Sequence, residues 1–150
     1  MTLPKPPFEG SCLCCSVQVR ITASPLLTFA CHCRDCQKLT ASAFSLTTMF
    51  PSDSFSYTGD LFKGGRQSSG RDHYFCKSCG NFIYSQIDDA DQRINLRTSI
   101  LNGAASFEPF VELMTKEKIP WATVPAKHSY QQSPDSPEDL QALMDEYRNF

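Results

Sequence analysis

Residues 72–87 read DHYFCKSCGNFIYSQI, a cysteine pair set inside a hairpin-like run. Cys76 and Cys79 stand two residues apart between DHYF and NFIYSQI, segments whose aromatic and β-branched residues read as strands, so the pattern is strand, knuckle, strand. Gly80 follows the second cysteine and permits the positive φ that a tight turn around a metal needs. A redox Cys-x-x-Cys pair belongs before a helix in a βαβ unit. The hairpin flanks here point instead to metal ligation.

A second pair, Cys12 and Cys14 in SCLC, lies far upstream and leads into SVQVRI, where Val17, Val19 and Ile21 alternate with Gln18 and Arg20 in the two-residue period of a half-buried strand. The two knuckles offer four thiolates. Zinc takes tetrahedral sulfur coordination with short ligand spacings, so Cys12, Cys14, Cys76 and Cys79 read as a closed structural site tying distant parts of a β-sheet together.

Three further thiols remain in CHCRDC, residues 31–36, with Cys15 as an odd extra. In extended conformation Cys31 and Cys33 point to one side and His32 to the other, and Cys36 can return on a turn made by Arg34 and Asp35. Three thiolates with one open position are the pattern of a catalytic zinc. A second structural site, with Cys15, His73 or His128 closing the fourth position, is the alternative; His32 reads as a bystander. Two zinc ions and seven thiolates would move the formal charge from −2 to about −5. Arg34 and Lys38 beside the cluster, and Lys63, Arg66 and Arg71 in the glycine-rich stretch, are candidates to moderate that charge and hold substrate carboxylates. Taken singly, each reads as a solvated surface charge.

The remaining chain alternates or turns. LLTFACHC is a short apolar run, SAFSLTTMF places Phe44, Leu46, Thr48 and Phe50 on one face, and RINLRTSI alternates Ile94, Leu96, Thr98 and Ile100. PSDSFSYTGD and KGGRQSSG carry turn residues around Phe55 and Tyr57, and PFVELMTKEKIPW reads as one more extended piece. Only the tail, 131–150, looks helical: Ser136 is the N-cap, Pro137 starts the first turn, Asp139 completes a variant capping box, and Leu140, Leu143, Met144 and Tyr147 form an apolar stripe. The expectation is one domain over 1–150, mainly antiparallel β with a short C-terminal helix.

Composition narrows the function classes. At 150 residues one core can form without relying on crosslinks. A net charge of −2 and a pI near 5.9 give no broad basic surface for nucleic acid. TLPKPPFEG after Met1 lacks the apolar stretch of a signal peptide, and no run of about 18 apolar residues offers a membrane span. A cytoplasmic location is the expectation, and eight cysteines there stay as thiols available to metal.

The succession GSCLC, CHCRDCQK, SAF, FCKSCG and a late Trp121 resembles the glutathione-dependent formaldehyde-activating enzyme family, which includes centromere protein V, over roughly residues 9 to 125. The resemblance implies an Mss4-like β-rich fold, a structural zinc on Cys12, Cys14, Cys76 and Cys79, and a catalytic zinc on Cys31, Cys33 and Cys36. It also implies carbon–sulfur lyase chemistry on a small thiol, the family's namesake reaction joining glutathione to formaldehyde as S-hydroxymethylglutathione. A non-catalytic Mss4-like zinc module that binds another protein is the competing reading. The expected assembly is a monomer or homodimer. Two departures stand out: the family usually has glycine where this chain has Cys15, and often has one near Ala41. Cys15 is expected to sit as a small apolar residue in the core.

Overall fold

In the computed structural model, residues 2–65, 70–87 and 92–150 are described. Eleven strands and two helices are found among them: β1 (Phe8–Ser11), β2 (Gln18–Ile21), β3 (Leu27–Cys31), α1 (Arg34–Thr40), β4 (Ser45–Pro51), β5 (Phe55–Thr58), β6 (Leu61–Gly64), β7 (Arg71–Cys76), β8 (Phe82–Ile87), β9 (Arg93–Arg97), β10 (Val111–Leu113), β11 (His128–Ser129) and α2 (Pro137–Arg148). They form a three-stranded sheet, β1-β2-β5, and an eight-stranded sheet, β11-β10-β3-β4-β9-β8-β7-β6. The architecture is thus mainly β, as the alternating segments require.

Most pairings are antiparallel, but β10 runs parallel to both β3 and β11, so one edge of the large sheet is mixed. Sequence alternation cannot reveal this, because both pairing modes have a two-residue period. PFVELMTKEKIPW is a strand only over Val111–Leu113; Met114 then takes a positive φ of 58° and Thr115–Glu117 form a 3₁₀ turn. The segment around Phe55 and Tyr57, expected as a turn, is β5, which pairs with β2. β4 is buried on both faces, as befits a central strand, so Thr47 and Ser45 are covered as well as Thr48 and Phe50.

Two cores result. Phe8, Val19 and Ile21 of the small sheet pack with Phe50, Ile94 and Leu96 of the large one. The second core holds Leu27, Phe29, Met49 and Val111 under α2, which contributes Leu143, Met144 and Tyr147. The helix forms where its capping residues place it: Ser136 Oγ accepts a hydrogen bond from the Asp139 amide at 3.1 Å. Tyr147 is fully buried and its hydroxyl lies 2.8 Å from Thr28 Oγ1, fixing α2 on β3. No helix among the described residues is long and apolar enough to cross a membrane.

Candidate metal centres

The first centre joins the two sheets. Cys12 and Cys14 lie in the turn between β1 and β2, Cys76 ends β7, and Cys79 lies in the turn to β8; their four Sγ atoms are within 4.8 Å of one another. Cys12 Sγ is 3.6 Å from both Cys14 Sγ and Cys76 Sγ, and Cys14 Sγ is 3.8 Å from Cys76 Sγ. Four sulfurs about 2.3 Å from a tetrahedral zinc stand about 3.8 Å apart, so the set fits that ion. Amides of Val17 and Cys79 donate to Cys12 Sγ at 3.3 Å and to Cys76 Sγ at 3.5 Å. The Ser16 hydroxyl and the Cys79 amide draw the Cys76 thiol down to about 6, favouring the thiolate that a metal needs. Gly80 has φ 73°, and its amide bonds to the Cys76 carbonyl at 2.8 Å, the turn anticipated for this glycine.

Cys31, Cys33 and Cys36 form the second centre, with their Sγ atoms again within 4.8 Å. Cys31 ends β3. Cys33 is extended (φ −62°, ψ 151°) and serves as the N-cap of α1, accepting the Cys36 amide on Sγ at 3.3 Å. Cys36 therefore returns in the first turn of a helix, not on a simple turn made by Arg34 and Asp35. The seven-residue α1 escaped detection because it has no long apolar stripe and its cap is a cysteine. Gln37 anchors it: its side-chain amide donates to the carbonyls of His32 at 2.7 Å and Glu117 at 3.1 Å. Hydrogen bonds from Cys31 and Cys33, helped by the Ser45 hydroxyl and the Arg97 charge, pull the Cys36 thiol down to about 3. Cys31, sharing its hydrogen-bonding with Cys33 and Cys36 inside a buried site, is pushed up.

Among the described residues no further ligand joins the triad. His32 is fully buried, turned away as alternation requires, with Nε2 3.0 Å from Glu112 Oε2. His128 Nε2 is 2.9 Å from Glu146 Oε2. Cys15 is exposed and has φ 65°, which corrects the expectation of a core residue: a left-handed turn position at the surface explains a glycine preference there. Ala41, the other departure, also has positive φ, 49°, as the C-cap of α1.

The triad opens on a cavity of about 390 Å³ on one face of the large sheet, within the range of about 300–1,000 Å³ usual for small-ligand sites. Its wall holds Cys31, Cys33 and Cys36 together with Thr47, His73 and Arg97. Arg97 is only 7% exposed; Nη2 donates to Ser85 Oγ at 3.4 Å and the Asn95 carbonyl at 3.2 Å, and the guanidinium lies 4.6 Å from the Phe82 ring centre. Burial pulls the Arg97 pKa down to about 10 against the attraction of the cysteine sulfurs, so it stays charged at neutral pH. Arg97 Nε, Thr47 Oγ1 and His73 Nδ1 are buried without a hydrogen-bond partner. Such groups cost free energy when left dry, so this wall calls for water or a polar ligand against it.

Of the basic residues singled out in the sequence, Arg71 lines the cavity. Arg34 and Lys38 are exposed, Lys63 pairs with Asp72 at 2.9 Å, and Arg66 lies outside the described residues. Arg93 and Arg97, which sequence reasoning missed, line the cavity from β9. The signal was present in RINLRTSI: Arg93, Asn95 and Arg97 alternate with Ile94 and Leu96, a polar face on a strand whose other face is core.

Comparison with known proteins identifies the family. Residues 7–117 match the model of the family described as glutathione-dependent formaldehyde-activating enzyme. A Podospora anserina protein provisionally named for that activity is 33% identical over 81 residues, covering 51% of this chain and 38% of its own length. A like-named Emericella nidulans protein is 32% identical over 91 residues, 56% and 46% of the two chains. An uncharacterized lyase of Schizosaccharomyces pombe is 32% identical over 80 residues, 53% and 57%. The chain thus spans about half the length of the curated relatives it matches. A crystal structure of a Rhodobacter sphaeroides protein shares the fold with TM-score 0.52 at 19% identity, over 63% of this chain and 88% of that one. By the match across residues 7–117 and the two cysteine sets inside it, the chain belongs to the glutathione-dependent formaldehyde-activating enzyme family.

Proposed function

We propose that this chain, as one domain over 1–150, is a carbon–sulfur lyase that joins and separates a small thiol and an aldehyde, with glutathione and formaldehyde as the family's pair. The observation that carries the reading is the position of Cys31, Cys33 and Cys36 in the wall of a cavity that also holds a buried arginine and unpartnered polar atoms. A protein-binding module needs no such cavity; an apolar surface patch would serve it.

In this reading Cys12, Cys14, Cys76 and Cys79 hold a structural zinc and Cys31, Cys33 and Cys36 hold a second, exchangeable one. When bound at the triad, zinc supplies a Lewis acid that lowers the pKa of a thiol or polarises an aldehyde oxygen. The reaction forms one bond between the thiol sulfur and the carbonyl carbon, and the thiol proton ends on the former carbonyl oxygen. Arg97 offsets the negative charge of the clustered sulfurs and offers a buried cation to a substrate carboxylate.

The test is exchange spectroscopy of glutathione and ¹³C-formaldehyde with and without the protein. Faster formation of S-hydroxymethylglutathione is expected, abolished in Cys33→Ser while the circular dichroism spectrum is retained. Absence of any acceleration by protein carrying two zincs, together with no binding of glutathione, would overturn the proposal.

A further inference from the structure

The cavity is divided across the sheet. Val111 pairs with Phe29, Phe29 with Thr47 and Thr47 with Arg97, so one row crosses from an apolar edge to a cationic one in three strand spacings, about 14 Å. On the cationic side Arg71 and Arg93 join Arg97. On the opposite side Leu140 and Leu143 of α2 close over Phe29 and Val111. Cys31 lies in the adjoining row, between Leu113 and Ser45. A sulfur held at the triad therefore has a cationic wall to one side and an aliphatic wall to the other. The α2 wall lies beyond residues 7–117, the part that matches the family model.

We infer that the carbonyl partner of this enzyme is an aldehyde carrying an aliphatic chain of several carbons, seated against Leu140 and Leu143, while the anionic groups of the thiol face Arg97. The inference rests on the thiol–aldehyde reading proposed above and extends it to the substrate class. The chemistry is the same addition: the sulfur–carbon bond forms at the carbonyl carbon, the thiol proton passes to the oxygen, and no other reactant is consumed. A chain of five or six carbons placed against the α2 wall is removed from water, which favours the longer adduct.

S-hexylglutathione and S-methylglutathione imitate the two adducts, carrying the same anionic peptide and differing only in the chain beyond sulfur. Calorimetric titration of the two-zinc protein is expected to give binding of the hexyl compound at least about tenfold tighter. Leu140 is half-buried, so Leu140→Gln and Leu140→Ala are both usable, with S-methylglutathione binding reporting that the site is intact. In Leu140→Gln the preference is expected to fall below about threefold, and in Leu140→Ala to lie between that and the wild-type value. Equal binding of the two compounds to wild type, or a preference unchanged in both variants, overturns the inference and leaves the lyase reading standing. If neither compound binds but glutathione and formaldehyde turn over, the inference alone fails. If neither binds and there is no turnover, both fail.

Discussion

At His73 burial acts directly on charge. Desolvation is the largest influence lowering its pKa, and the charges of Arg97 and Arg71 act in the same direction. The native state therefore favours the neutral ring, whereas the unfolded chain takes up a proton near the ordinary value of 6.5. Below that pH the unfolded state binds more protons, so the His73 contribution is fully present above about 6.5 and lost as the pH falls toward the lower native value. Melting curves at about pH 7.5 and about pH 5.5 should show a smaller pH effect in His73→Gln than in wild type. Equal slopes in the two proteins would show that the ring charges as freely in the fold as out of it. Acid also displaces zinc, but that contribution is common to both proteins.

Helix α1 matters more than its seven residues suggest. A helix this short is marginal in isolation. It persists through the Cys33 cap, the two hydrogen bonds of Gln37 and contact with β4, and it sets the place of Cys36. Its far end carries a local conflict: Ala41 closes the helix at φ 49°, where its amide reaches the carbonyls of Gln37 and Lys38. A left-handed residue other than glycine costs about 1–2 kcal/mol, so Ala41→Gly should raise stability by about 1 kcal/mol in urea titration. No gain would mean that the extra freedom of glycine in the unfolded chain cancels the relief.

Across the whole molecule, the first cysteine set bridges the three-stranded and eight-stranded sheets, whereas the second lies within one sheet and the helix that follows it. Metal at a bridging site contributes directly to folding free energy. Cys76→Ser is therefore expected to lower the melting temperature by more than about 10 °C, and Cys33→Ser by only a few degrees while activity is lost. Equal destabilisation by the two changes would show that the roles are assigned wrongly. Mild chelation should remove one zinc before the other with the far-ultraviolet spectrum unchanged, because three protein ligands hold a metal less firmly than four. Zinc analysis during dialysis checks this order; simultaneous loss of both ions with the fold would contradict it.

Short stretches of sequence were enough to read the two cysteine sets, the strands on either side of Cys76 and Cys79, the positive φ at Gly80 and the capped helix α2 with its stripe ending at Tyr147. All of these depend on spacing within a few residues, and local chemistry is sufficient to specify them. The parallel pairing of β10, the solvent exposure of Cys15 and the entry of Cys36 from a helix capped by Cys33 emerge from long-range packing. It alone brought Arg97 of β9 and Leu140 of α2 to opposite sides of the same cavity. Those arrangements depend on which distant strands become neighbours, and that is fixed by burying both sheets and α2 together rather than by any short stretch of chain.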